Sequence, residues 1–483
     1  MVGARGVGCL GWKGGGALPH ISGVADDVRQ RCRSLGVRSL QLQFTDILGV
    51  VKHVTVPIAQ LDKALSGAVI VDGSALEGFV RTRESDMYLR PDPRTFSTFP
   101  WKAHTAAAAP GPSGHGRQDE PPAVTTSQTG RLICDLYNLD GEAYAGDPRH
   151  ALRRACAAAE GMGFTPMVGA EPEFFLFRRD AAGRASTETN DLASYFDMGP
   201  LDMGEGVREE IVATVEEMGF DIASSHHEAA PGQHEVDFKY SDALAIADDL
   251  ITFRLVARSI AAGRGLHATF MPKPLGDVNG SGLHIHVSLF HGADNAFHDP
   301  DAADGLSGVA RQFLAGVLVH ARGFTAVTNP LVNSYKRLVP GYEAPIFATW
   351  SQRDHSPLVR VPARRGVGTR IELRSPDPSC NPYLALAAII AAGLDGLQHN
   401  LEPPRQTGAA VYRMSAEERQ DLGIVPLPGN LEEALAAMET DVVVQEALGE
   451  HITSRFTEAK RIEWDYYRRQ VHKWEIDQYL SAF

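Results

Sequence analysis

Four short segments of the sequence concentrate residues that bind cations or anionic groups. Gly169-Ala-Glu-Pro-Glu-Phe-Phe-Leu-Phe177 sets Glu171 and Glu173 two residues apart, so in an extended chain both carboxylates leave the same face. Like charges side by side need a cation or bulk water to screen them, and a metal site and a solvated strand edge both meet that need. Ser224-Ser-His-His-Glu-Ala-Ala-Pro-Gly-Gln-His-Glu-Val236 gathers three histidines with Glu228 and Glu235 around a Pro-Gly turn. It is not an HExxH helix. The turn can fold the two carboxylates toward one another, where Glu171 or Glu173 would complete a hard-cation site.

In the third segment, Asn279-Gly-Ser-Gly-Leu-His-Ile-His-Val-Ser288, a glycine turn leads into a strand on which His284, His286 and Ser288 share a face. Backbone amides in such a turn can approach an anion closely. The fourth, Asn329-Pro-Leu-Val-Asn-Ser-Tyr-Lys-Arg-Leu-Val-Pro-Gly-Tyr-Glu-Ala-Pro345, is followed by Arg353, Arg360, Arg364, Arg365, Arg370 and Arg374. Guanidinium forks suit carboxylates and phosphates, and Glu372 shares a face with Arg374. Acidic and imidazole ligands beside an arginine cluster are equipment for phosphoryl transfer. GxxxxGK[ST], a kinase glycine loop and GxSxG are all absent, so another architecture must hold the nucleotide.

The elements that position these groups can be read from pattern and composition. The chain has 483 residues, 46 Lys and Arg against 60 Asp and Glu, and a net charge of −14. That balance argues against nucleic acid as the main partner. Five cysteines at 9, 32, 134, 156 and 380 form no CxxC pair, which fits a reducing cytoplasm. The apolar stretch Leu384 to Leu394 falls short of the ~20 residues a membrane helix needs and is predicted as a buried helix. Residues 1–23 read as a disordered extension. A helix around Val24 to Leu35 precedes SLQLQFTDILGVVKHVTVP, predicted as paired strands turning at Asp46 to Gly49. Residues 102–130, rich in Ala, Pro, Gly, Ser and Thr, read as a surface loop. Asp147 is a predicted N-cap with Pro148 at the first helical position, and the domain boundary is placed there. Beyond it, helices alternate with the short strands EFFLF, HEVDF, HATFMP, LHIHVSL and RIELRS. The stretch Leu431 to Phe483 reads as helical, docked by its terminal aromatic residues.

The segments FTDILGVVKHVTVP, VDGSALEGF, ESDMYLRPD, EPEFFLF, SHHEAAPGQHEVDFKY, HATFMPKP, NGSGLHIHVSL, NSYKRLVPGYEAP and RIELRSPDPSCNPYLAL resemble, in order, those of type I glutamine synthetase in its shorter bacterial form. The resemblance covers nearly everything after about residue 24. It implies an α+β fold, with a β-grasp domain over 24–146 carrying an insertion at 102–130 and a catalytic α/β domain over 147–483. It further implies a dodecamer with active sites between subunits. One Mg2+ or Mn2+ would be held by Glu173, Glu228 and Glu235, another by Glu171, His284 and Glu372. ATP would meet Tyr240, His286, Ser288 and Arg360. Glutamate would meet Asn279, Gly280, Arg337 and Arg374. Asp72 of a neighbouring subunit and Tyr195 would form the ammonium pocket, and Glu343 would close over the intermediate. The implied activity is glutamate–ammonia ligation through γ-glutamyl phosphate.

Three departures bear on that activity. In TWSQRDHSPLVRVP the family usually carries Asn-Arg where this chain has Asp354 and His355, so an arginine serving the transferring phosphoryl group is replaced. Slow turnover is expected, since Arg353 sits out of register. Ala75 replaces a serine near the ammonium pocket, which would weaken ammonium binding or make room for an amine. AVYRMSAEER lacks the family's adenylylation motif, so covalent control there is not expected, whereas Arg81 matches a residue linked to glutamine feedback. The rival readings are a γ-glutamyl-amine ligase and a catalytically weak paralogue.

Overall fold

The computed structural model describes residues 21–73, 86–100, 128–407 and 409–483. Its smaller sheet contains β1 (Val37–Thr45), β2 (Val51–Pro57), β3 (Val69–Asp72), β4 (Asp86–Pro91), β5 (Ser97–Thr98) and β6 (Gln128–Asn138). The order is β2-β1-β6-β4-β3, with β5 on β6. β1 and β6 run parallel and the other pairs antiparallel. Leu40, Leu42, Leu89, Leu132 and Leu136 form its core with Val28 and Cys32 of helix Ile21–Ser34.

That helix begins inside the segment expected to be disordered, because its apolar positions pack on the sheet; residues 1–20 lie outside the described residues. Most of the expected surface loop also lies outside them, but Gln128, Thr129 and Gly130 pair with Val37, Ser39 and Leu40 in β6. Gly130 belongs to the packing rather than to a loop. A Cβ there would meet Leu40 at 2.8 Å and Phe96 at 3.0 Å.

The larger sheet contains β7 (Thr165–Arg179), β8 (Ala185–Thr189), β9 (Ile222–His227), β10 (Gln233–Asp242), β11 (Leu266–Thr269), β12 (Leu283–His291), β13 (Asp294–Asn295), β14 (Trp350–Ser351), β15 (Val359–Arg360) and β16 (Ile371–Leu373). Its main path is β14-β15-β16-β12-β7-β10-β9. One face is apolar. Val168, Ala170 and Phe174 of β7, Val236 and Phe238 of β10, and Ile285 and Val287 of β12 join the buried core with helices Ala243–Gly263 and Pro382–Gln398. The period-two alternation of strands leaves the opposite face to the polar residues. The predicted core stretch Leu384 to Leu394 is almost wholly buried. Among the described residues no helix is long and apolar enough to cross a membrane. The C-terminal segment is helical, but Trp474, Tyr479 and Phe483 are exposed on this chain. Phe456 and Trp464 of this segment pack on the core, while the last aromatics do not, so the expected docking by the terminal residues does not occur within one chain.

A buried ion cluster fastens the two sheets together. Asp147 caps helix Pro148–Gly161 by accepting from the Arg149 amide, as the sequence predicts. Arg149 then donates to Asp135 of β6 at 2.7 Å, to Asp92 at 3.1 Å and, through two nitrogens, to Asp248 at 2.8 and 2.9 Å. Burial alone would raise Asp92 and Asp135, but guanidiniums outweigh it and hold both below the usual carboxylate range. A second joint is the Asp46–Gly49 turn, which inserts Ile47 into the larger core and receives the Asn381 side chain on the Asp46 carbonyl.

Removing Arg149 leaves three carboxylates buried without their shared cation, a loss of about 3–5 kcal/mol. Arg149→Met should therefore lower the chemical-denaturation midpoint far more than Arg184→Ala, which breaks only the surface pair of Arg184 with Asp180. Because the folded-state values of Asp92 and Asp135 are depressed, this stabilisation is present above pH ~4 and is lost as pH falls. Equal midpoints for the two variants at neutral pH would refute the assignment.

Candidate functional site

The polar face of the larger sheet collects side chains through strand register. Glu171 pairs with His284, Glu173 with Glu235, and Glu372 with both His286 and Arg360. Residues directly opposite one another share a face, so β10, β7, β12, β16 and β15 contribute to one surface. Glu228 follows β9 at a turn closed by its amide bonding to Gln233 O at 2.8 Å. Beneath that turn, Phe175 and Phe177 stack and pack on Ala230, with Leu275 and Val278 alongside. This apolar wedge supports both the Glu228 turn and the loop leading to Gly280.

The carboxylates form overlapping groups whose candidate ligand atoms lie within 4.8 Å of one another. The groups are Glu171 with His284 and Glu372, Glu173 with Glu235 and His284, and Glu228 with Glu235 and His226. One of the two expected triads is thus reproduced as a group. Members of the other are split between two groups that share Glu235. A carboxylate-dominated donor set with single imidazoles fits a hard divalent cation.

Electrostatics supports that fit. Burial first, then the neighbouring Glu228 charge, pushes Glu173 up to about 8. Burial together with Glu173 and Asp237 pushes Glu235 well above the ordinary range. Glu171 and Glu372 are held low despite burial. Glu171 accepts from His284 and His286, and Glu372 lies among both histidines, Arg374 and Arg360. His286 Nδ1 accepts from Arg370 Nε at 3.0 Å, so its Nε2 donates to Glu171 at 2.6 Å. Gln233 donates to Glu173 at 2.7 Å and to Gly280 O at 3.2 Å.

The remaining expected residues surround this centre. Arg337 is buried and donates to the carbonyls of Arg374, Ser375 and Pro376. Arg374 donates to Glu372 at 2.6 Å, and its buried Nε has no acceptor among the described residues. Asn279 donates to Glu343 at 3.2 Å, and Glu343 holds a left-handed φ of 53°. Tyr195 packs edge-on against His226, and burial followed by Glu228, Glu235 and Glu343 pushes it up to about 12. Ser288 is buried, while Tyr240 is exposed and stacks on Phe290. His355 is exposed, yet partial burial followed by Arg360 and Arg374 holds it below its ordinary value. It is therefore neutral near pH 7. Asp72 lies apart, at an exposed position of β3 at the end of the smaller sheet. Ala75 and Arg81 lie outside the described residues.

Sequence reasoning did not assign His226, Gln233, Arg370 or Phe290. All four stand within or beside quoted segments, but their roles depend on cross-strand register and turn geometry. Gly282 was read only as part of a turn. A Cβ there would press into Arg337 and lie 3.0 Å from Glu173 and 3.2 Å from His284.

A mixed five-strand core with a parallel β1–β6 pair, joined to a largely antiparallel sheet bearing crowded carboxylates beside arginines, defines an α+β protein equipped to bind divalent cations and anionic substrates. Family models agree. The glutamine synthetase β-grasp domain matches residues 36–109, and the glutamine synthetase catalytic domain matches 145–479. Glutamine synthetases of Staphylococcus aureus and Staphylococcus epidermidis are each 52% identical over 467 residues, covering 96% of this chain and all of theirs. A solved GmaS/ADP complex is 32% identical with a TM-score of 0.80, covering 94% of this chain and all of that one. The glutamine synthetase of Plasmodium falciparum, 23% identical with a TM-score of 0.79 over 96% of this chain and 99% of that one, shares the fold. The chain belongs to the glutamine synthetase family. Its activity is the ATP- and divalent-metal-dependent ligation of ammonia to glutamate.

Because Glu173 and Glu235 are raised, divalent-ion binding should expel protons and weaken as pH falls below about 8. Calorimetric Mn2+ titrations in buffers of different ionisation heat should show buffer-dependent enthalpies. Identical enthalpies in all buffers would contradict the crowded-carboxylate account.

Proposed function

We propose that Glu173, Glu228 and Glu235 hold one Mg2+ or Mn2+ and that Glu171, His284 and Glu372 hold a second. The single observation carrying this reading is the convergence of these six side chains from five elements onto one sheet face. When bound, such ions offset the negative charge of the triphosphate and the substrate carboxylate.

The other assignments follow the same surface. His286, Ser288 and Arg360 serve the ATP phosphates, and Tyr240 receives the base or sugar. From His284 to Phe290 β12 spans roughly 20 Å at about 3.3 Å per residue, room enough for an extended nucleotide. Arg337, Arg374, Asn279 and Gly280 bind glutamate; the buried Arg374 Nε without a protein acceptor supports this. The γ-carboxylate attacks the terminal phosphorus, the bond to the ADP oxygen breaks, and γ-glutamyl phosphate forms. Asp72 of a neighbouring subunit attracts ammonium and, with Tyr195, positions it as it loses a proton. The nitrogen then attacks the acyl carbon and phosphate leaves. Glu343 closes the site against water.

This arrangement requires a homo-oligomer, for which we propose the dodecamer of the resemblance. The exposed aromatics of the C-terminal helices are available for such contacts. We place the domain division at 146/147, two residues inside the start of the catalytic-domain match and ahead of the helix that Asp147 caps, and the protein in the cytoplasm, where its buried free cysteines stay reduced. The near-full-length identity to glutamine synthetases favours ammonia over a larger amine.

ADP release with glutamate should be stimulated most by ammonium in a panel that includes methylamine, ethanolamine and a polyamine. Stronger stimulation by any of those amines would overturn the substrate assignment. With a neutral imidazole in place of the family's arginine, His355→Arg should raise kcat by about tenfold. An unchanged kcat would remove His355 from the phosphoryl site.

A further inference from the structure

Beneath the Glu228 turn lies a second group of titratable side chains that the reaction does not use. Asp191, Asp202, His227 and His234 are buried together, with ligand atoms within 4.8 Å. Arg208 enters the same group, donating to Asp202 at 2.6 Å and to His234 Nδ1 at 2.8 Å. His227 Nδ1 lies 2.7 Å from the Glu228 carbonyl oxygen and its Nε2 lies 3.2 Å from Asp191 Oδ1. Each ring nitrogen of His227 thus faces an oxygen atom. Asp202 and Asp191 are each engaged by a protein partner, Arg208 and His227 respectively.

What the group touches gives it a role. Asp191 Oδ1 also accepts from the Gly232 amide at 2.8 Å, across the turn between Glu228 and Glu235. His227 O accepts from the Phe196 amide at 3.1 Å, beside Tyr195. His234, next to Glu235, packs edge-on against the His227 ring with centroids 4.9 Å apart. One ion pair therefore grips the Glu228 main chain and the far side of its turn, and the His227 backbone ties the Tyr195 loop to the same point.

We propose that Asp191 and His227 are positioning residues that fix the Glu228–Glu235 turn, and with it the geometry of the divalent-ion site these glutamates form. The inference rests on the metal assignment above. Second-layer partners of metal ligands typically account for ~10–100-fold in affinity, and an effect of that size is expected here.

The test is Mn2+ affinity of the full chain, read by electron paramagnetic resonance of free Mn2+. Asp191→Asn keeps the shape and removes the counter-charge. His227→Gln keeps a donor and needs no counter-charge, and decides the matter alone where Asp191→Asn fails to fold. Either folded variant should raise a Mn2+ dissociation constant by ~10–100-fold at unchanged ion stoichiometry. At saturating metal, kcat should recover and KM for ATP should stay unchanged. Unchanged Mn2+ affinity in a folded variant, with only a lowered melting temperature, would reduce the pair to a structural one and overturn the proposal. So would loss of a whole ion from the stoichiometry, which would make the group itself a metal site. Glu228→Gln separates the two layers. If it leaves Mn2+ binding intact, the ligand assignment fails; if it abolishes a site while the pair's variants do not weaken it, only the positioning inference fails.

Discussion

Mutual repulsion among carboxylates is the constraint around which the larger sheet is built. Register places Glu173 directly opposite Glu235, with Glu171 two residues away and Glu228 at the adjoining turn. Folding would disperse these groups if the sheet were free to slip, because a one-residue slip turns them to the other face. The opposite face forbids it: Val168, Ala170, Phe174, Val236, Ile285 and Val287 would have to leave the core. Burial of hydrocarbon on one side thus holds together on the other an arrangement that electrostatics alone opposes. Each of those side chains contributes roughly 1–3 kcal/mol on burial.

The charge left after internal pairing decides where ligands belong. Around Glu372 the balance is close, because Arg360 and Arg374 both bond it and the histidines stand nearby. Around Glu173 and Glu235 it is not, and both carboxyls are driven toward the protonated form. Beyond the strand carrying Glu372, a loop leads to Asn381, which caps helix Pro382–Gln398 and also bonds the Asp46 turn of the smaller sheet. The first domain therefore braces the segment that bears a metal-ligand candidate.

Much of this was legible from the sequence because strand chemistry is local. The pair Glu171 and Glu173, the alternating His284 and His286, the Asp147 cap and the Leu384–Leu394 core helix each follow from a spacing of two, a terminal signal or a run of apolar residues. What stayed hidden depends on long-range register or a shared surface. Gly130 looks like loop composition until its close contact with Leu40 is known. Arg149 is one of many arginines until its three carboxylate partners arrive from distant segments. The terminal aromatics read as docked because sequence cannot say whether the surface they cover belongs to the same chain, and on this chain they are exposed.

The hairpin of β9 and β10 carries two clusters with opposite designs. Glu228 and Glu235 project to the polar face, where the carboxylates of Glu173 and Asp237 stand near without enough protein cations to match them. His227 and His234 alternate with those glutamates and project to the other side. There Asp191 and Asp202 meet His227 and Arg208 in equal number. The hydrogen bonds of that cluster tie Asp202 to Arg208 and Asp191 to both His227 and the Gly232 amide, and they are lost if its geometry changes. An open, anionic cluster gains by taking up cations. Because the side chains alternate along the same hairpin, the backbone itself joins the cluster on one side to the carboxylates on the other. A four-residue span, His226 to Ala229, is enough to join a rigid anchor to a reactive centre.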